Sequence, residues 1–137
     1  MERKAGKADN DLSFYSLLAV LQSGLWLLSD VESYLRRFKL SHGRFSILLS
    51  LVESQEGTLA GIELATMLGV SKPTITRMIG RLLGDGYLTC SADESDLRRK
   101  KYLLTRKAAT LLEKIVPGYR RRLGVISGNL TEIDKHR

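Results

Sequence analysis

Six residues in one short stretch have the types and spacing for chemistry on a polyanion: Ser71, Lys72, Pro73, Thr74, Thr76 and Arg77. Lysine and arginine neutralise phosphate, arginine grips a guanine edge with two parallel N–H donors, and threonine meets a phosphate oxygen or a thymine methyl. The spacing predicts a single helix that opens at Ser71 and carries its apolar stripe through Leu82. Ser71 is suited to N-cap it, and Pro73 falls in the first turn, where its missing N–H costs little. Ile75, Met78, Ile79 and Leu82 recur at helical spacing and mark a buried stripe. Pro73, Arg77, Gly80 and Arg81 fall on the opposite side, with Thr74 and Thr76 flanking it. The outward face of the first two turns thus carries only small or cationic groups, which suits the major groove of DNA. Taken alone, the stretch equally fits an ordinary amphipathic surface helix, and the flanks decide between the two.

Upstream, Ile62, Ala65 and Leu68 share one face of a short helix that ends at Gly69, a residue suited to a left-handed turn. Helix, glycine turn, buried Val70 and a serine-capped second helix make a helix-turn-helix. Downstream, Gly84, Asp85 and Gly86 stop the second helix. Residues 87–90 and 102–105 predict two strands joined by a polar loop over 91–101, which holds Arg98, Arg99, Lys100 and Lys101. A hairpin with a basic tip in this place is a wing, able to reach the phosphate backbone or the minor groove. Asp96, an acid inside the basic loop, fits a partner that orients Arg98 or another wing cation.

The charge distribution points the same way. The 137 residues hold 22 Lys plus Arg against 15 Asp plus Glu, a net +7. Residues 71–107 carry nine of the cations and four of the acids, so most of the excess lies on the suspected nucleic-acid face. A basic balance alone also fits RNA, an acidic membrane or an acidic partner; its concentration on a helix-turn-helix and wing favours duplex DNA. The single cysteine, Cys90, excludes a disulfide framework and a Cys-based zinc site within one chain, and fits a reducing, cytoplasmic setting. On a strand rather than at a helix N-terminus, it is expected to be an inert, partly buried thiol. The two histidines, His42 and His136, lie far apart, and no HExxH, GxGxxG, phosphate-loop or Gly-x-Ser-x-Gly pattern occurs. No cofactor and no enzyme chemistry is expected.

The remaining elements read as a mainly α (α+β) single domain over residues 1–137. Residues 1–10 are a mixed-charge tail expected to be disordered, with no signal peptide. Residues 12–38 form a long helix with Phe14, Leu17, Leu18, Leu21, Leu25 and Leu28 on one line and Val20, Leu27 and Tyr34 on another. Residues 12–29 carry no charge, but their serines and Gln22 favour a helix buried between subunits over a membrane helix. Trp26 is expected in the core. After a break at residues 40–43, residues 44–54 form a helix with Phe45, Leu48, Leu49 and Val52 inward. Residues 57–59 are expected to add a short strand to the wing sheet. Thr105 caps a helix over 106–130, interrupted and kinked by Pro117 and Gly118. Arg120, Arg121 and Arg122 read as a solvated face. Thr131 caps a last helix that is very short or cut away.

These pieces together resemble the MarR (multiple antibiotic resistance regulator) family of winged-helix transcription factors. The likeness rests on Glu63-Leu64-Ala65, residues 71–77, Leu82, Asp85-Gly86-Tyr87-Leu88, Asp96-Leu97-Arg98 and Leu104-Thr105. In that family the wing reads Asp-Arg-Arg and later Leu-Thr; here Leu97 replaces the first arginine, with Arg99 and Lys100 adjacent. The resemblance covers roughly residues 12–131. It implies long flanking dimerisation helices (residues 11–39 and 105–137) around a winged helix-turn-helix lobe (residues 40–104) with a small β-hairpin wing. It also implies a homodimer on a near-palindromic operator, repression of transcription, and a small amphipathic or anionic effector between the dimer helices and the lobe. The alternative is a winged-helix protein-interaction module whose cationic face merely keeps it soluble.

Overall fold

The computed structural model describes the backbone of residues 2–92 and 100–135 and the side chains of residues 11–91 and 100–124. Five helices and three strands follow in the order α1 (Glu2–Arg36), α2 (His42–Glu53), β1 (Thr58–Ala60), α3 (Gly61–Leu68), α4 (Lys72–Gly84), β2 (Leu88–Ala92), β3 (Lys100–Leu104) and α5 (Arg106–Lys135). This is the mainly α winged helix-turn-helix architecture expected from the sequence. The strands form one antiparallel sheet in the order β1-β3-β2, with Leu59 opposite Tyr102 and Cys90 opposite Tyr102 on its other edge. The short strand expected near residues 57–59 is β1.

Local chemistry sets the ends of the elements. Ser41 accepts the Arg44 N–H at 3.2 Å and caps α2, so that helix starts at His42, two residues before the expected start. Gly69 closes α3 in the left-handed region (φ 67°), its N–H shared between the Ala65 and Thr66 carbonyls. Thr105 caps α5: its hydroxyl accepts the Ala108 N–H at 3.2 Å and donates to the Gly86 carbonyl at 2.6 Å. Lys107 adds a 2.6 Å hydrogen bond to the Asp85 carbonyl and lies over the Tyr87 ring. The end of α4 is thereby tied to the start of α5.

Packing corrects several expectations. The first ten residues are not a disordered tail: α1 begins at Glu2. In α2 the buried residues are Phe45, Ile47, Leu48 and Leu51, whereas Leu49 is half-buried and Val52 is exposed. The run Ile47-Leu48-Leu49-Ser50-Leu51-Val52 is apolar nearly all round, so contacts with α1, α3, α4 and β3 choose its inner face. In α3, Leu64 is buried, Ala65 and Leu68 are half-buried and Ile62 is 77% exposed, and Val70 in the turn that follows is half-buried rather than buried. The strands extend further than expected, so Lys100 and Lys101 belong to β3 rather than to the loop. Helix α5 runs through Pro117 without a break and past Thr131 to Lys135, so no separate last helix begins there. One proline removes one internal hydrogen bond. The buried Ala108, Leu112 and Ile115 before it and Tyr119 after it hold the helix against the core.

Helix α1 is divided by its contacts. Its end is core: Val31, Tyr34 and Leu35 are buried. Its middle is bare. Phe14, Leu17, Leu21 and Leu25 form one exposed line, and Trp26 is 74% exposed instead of buried. By length and composition residues Asp11–Arg36 could cross a membrane, with a mean hydropathy of 1.4.

Candidate nucleic-acid interface

The second helix of the helix-turn-helix is built as a presented edge. Ser71 caps α4 by accepting the Thr74 N–H at 3.3 Å, and Pro73 occupies the first turn. Ile75, Ile79 and Leu82 are buried and Met78 half-buried, fixing which side faces the core. Ser71, Lys72, Pro73, Thr76, Arg77, Gly80 and Arg81 are exposed, and Thr74 is half-buried. Lys72, Thr76 and Arg77 make no intramolecular hydrogen bond or ion pair among the described residues. Their donors are already pointed away from the core with nothing to release before meeting a ligand.

The structure brings Lys100 to the same region. Lys72, Thr76 and Lys100 stand around an apolar cleft of about 670 Å³ between α3, α4 and the sheet, floored by Ile75, Ile79 and Tyr102. Burial pushes the Tyr102 phenol above its ordinary value, with Cys90 across the sheet adding to the shift. Cys90 itself is exposed, not partly buried, on β2 at one edge of the sheet. Asp96, Arg98 and Arg99 lie outside the described residues.

Two arginines missing from the sequence-based site have a structural part beside it. Arg81 Nε lies 3.7 Å from the Asp85 carboxylate, and Arg44 Nη1 lies 3.8 Å from the same oxygen. The Arg81–Asp85 pair has the i,i+4 spacing that a sequence shows. Arg44 carries no such signal, because its partner is 41 residues away. Its Nε also donates to Ser41 at 3.1 Å, so this cation is committed to holding α2 against the end of α4. In the arginine run 120–122 of α5, Arg120 and Arg121 are exposed, but Arg122 is not a solvated residue. Its guanidinium lies 4.1 Å from the Tyr34 ring centre and its Nε 3.7 Å from Asp30, joining α5 to α1.

A capped helix presented by a helix-turn-helix, with a three-stranded sheet beside it, defines a winged helix-turn-helix protein. The sequence model of the MarR family matches residues 40–100. Over those residues the chain is similar to the MarR family. It is 30% identical over 105 residues to the HTH-type transcriptional repressor YetL of Bacillus subtilis (strain 168), covering 77% of this chain. That match spans 63% of YetL, just under two thirds of its length. The fold is similar to that of AbsC, a MarR family transcriptional regulator from Streptomyces coelicolor, with a TM-score of 0.75 and 26% identity. That likeness covers 88% of this chain and 86% of AbsC. It is also similar to the M. tuberculosis transcriptional regulator MOSR in complex with DNA, with a TM-score of 0.67 and 27% identity over 82% of this chain and 80% of MOSR.

Proposed function

We propose that this chain is a sequence-specific, double-stranded-DNA-binding transcription regulator that acts as a homodimeric repressor in the cytoplasm. The observation that carries the reading is the outward edge of α4, where Lys72, Thr76 and Arg77 are exposed and uncommitted while Ile75, Ile79 and Leu82 lock the helix to the core. Each subunit places α4 in a major groove, so the two copies read half-sites about one helical turn apart in a near-palindrome. MOSR, seen with DNA, and YetL, described as a repressor, support the target and the direction. The exposed leucine line of α1 is covered by a second copy, which removes it from water. The wing supplies the second contact: Arg98 enters a narrow, A·T-rich minor groove, Arg99 and Lys100 meet phosphates, and Asp96 orients the cations. A small amphipathic or anionic effector, bound between the dimer helices and the lobe, shifts the spacing of the two α4 helices away from that of the operator.

The test is the salt dependence of binding to a selected operator against random DNA. A regulator shows a clear preference and a steep slope, whereas a protein-interaction module shows neither. Arg77→Ala is expected to cost about 1–3 kcal/mol at the operator and to relax the preference at one base position. An unchanged base preference in a binding selection would remove Arg77 from direct readout. Arg98→Ala is expected to lower the salt slope by about one unit. Asp96→Ala is expected to weaken binding although it removes a negative charge; tighter binding would show that it does not orient the wing.

A further inference from the structure

Resting on the reading of α4 as a DNA-recognition helix, we propose that Arg81 is a phosphate contact on the flank of α4 and that Asp85, anchored by Arg44, is the residue that positions it. Arg81 follows Arg77 by one helical turn, which places it about 6 Å further along α4 and about 40° round the axis. Both are exposed. The rotation is toward α2: Met78, on that flank, has its sulfur 2.9 Å from where a Cβ at Gly43 would stand, and Arg44 shares the acid of Arg81. A recognition helix reads base edges with its first turns. An arginine one turn beyond Arg77, on the flank rather than the leading edge, meets the wall of the groove, which is phosphate.

Asp85 caps the C-terminus of α4, where the helix dipole disfavours an acid. Two cations offset that cost. Arg81 Nε and Arg44 Nη1 lie 3.7 and 3.8 Å from the same carboxylate oxygen, Oδ2. The two arginines are not equivalent. The Arg44 side chain is only 15% exposed, its Nε donates to Ser41 at 3.1 Å, and its Nη1 has no hydrogen-bond partner among the described residues. Arg44 is therefore fixed, with Asp85 as the acid it faces. The Asp85 backbone is pinned on both sides, its N–H donating to the Arg81 carbonyl at 2.9 Å and its carbonyl accepting from Lys107 Nζ at 2.6 Å. The carboxylate stands on a fixed base, and Arg81, 67% exposed, is the member that reaches outward. One carboxylate between two guanidiniums leaves one positive charge over, and Arg81 presents it to solvent. Its contact runs through Nε, at the base of the guanidinium fork, so both Nη groups and their four N–H donors remain for a phosphate. At 3.7 Å the contact is longer than a hydrogen bond, so no bond has to break before the fork meets its ligand. Without Asp85, Arg81 would have to be ordered from its free rotamers on binding.

The experiment titrates the selected operator and random DNA over a salt series with the full chain, Arg81→Ala, Asp85→Asn and the double variant. Arg81→Ala is expected to flatten the slope of log affinity against log salt by about one unit and to leave the base preference unchanged at every position. Asp85→Asn should weaken binding to both DNAs roughly three- to tenfold, the cost of ordering one long side chain, although it removes a negative charge beside the DNA. In the Arg81→Ala background the same substitution should leave binding unchanged or tighten it. That dependence on Arg81 separates positioning from a structural part, because a lost tie between α2 and α4 would weaken binding by the same factor in both backgrounds. Three outcomes overturn the inference while leaving the regulator reading intact: a slope unchanged by Arg81→Ala, tighter binding by Asp85→Asn alone, or an equal loss in both backgrounds. If the wild-type chain shows neither operator preference nor a steep slope, the regulator reading fails and this inference falls with it.

Discussion

Leu21→Asp combined with Leu25→Asp is expected to leave the subunit folded but to abolish tight operator binding. Both leucines lie on the bare line of α1, 58% and 55% exposed, and touch no part of the core. In the proposed homodimer the interface is isologous, so each substitution enters it twice. Four carboxylates would then have to be buried without partners, at a cost of several kcal/mol each, and the chains would separate. Each subunit keeps its α4 and wing, but the second half-site contact becomes bimolecular again. The lost effective concentration is worth about 10²–10⁴ in apparent affinity. Sedimentation over a concentration series, paired with operator titration, checks both halves. A dimer that survives the double substitution would place the interface elsewhere. A monomer that still binds the two-half-site operator as tightly as the wild type would remove the geometric basis for palindromic recognition.

The second large effect is structural. Gly118→Ala is expected to destabilise the protein by about 2–3 kcal/mol, even though alanine is the better helix former. The reason is Tyr34. Its hydroxyl reaches across from α1 to donate to the Ile115 carbonyl at 2.9 Å, and the ring is buried under the Arg122 guanidinium. A Cβ at position 118 would fall inside the van der Waals envelope of the Tyr34 hydroxyl and ring. Neither partner can yield easily, because α5 is backed by the buried Ile115 and α1 by the buried Leu35. Denaturant midpoints at matched protein concentration measure the cost. The same substitution in a Tyr34→Ala background should be neutral or stabilising. An equal cost in both backgrounds would show that the glycine is needed for some reason other than this contact.

Gly118 also shows where sequence reading stops. In the chain it stands next to Pro117, and the pair reads as a helix interruption. The glycine is there because a tyrosine 84 residues earlier needs the space, and α5 continues through both residues. Trp26 and Ile62 fail for the opposite reason. Large apolar residues at helical spacing are expected inside, yet both are exposed in the single subunit. Periodicity marks a face but does not say what covers it. The α2 run from Ile47 to Val52 has too many apolar residues for a period to pick one side, so its register had to come from the neighbouring elements.

What the sequence determined by itself is helix α4 and its immediate supports: the Ser71 cap, Pro73 in the first turn, the Gly69 left-handed turn, the buried Ile75, Ile79 and Leu82, and the Thr105 cap. Each depends on groups within about four residues, where bond geometry leaves few alternatives. The tertiary structure alone decided which α1 residues are core and which are bare. It also committed Arg44 and Arg122 to structural ion pairs, and brought Lys100 beside Lys72 and Thr76. Those choices are made by contacts between residues tens of positions apart. Their energies come from excluded volume and burial at the meeting of elements, and no local pattern in the chain encodes them.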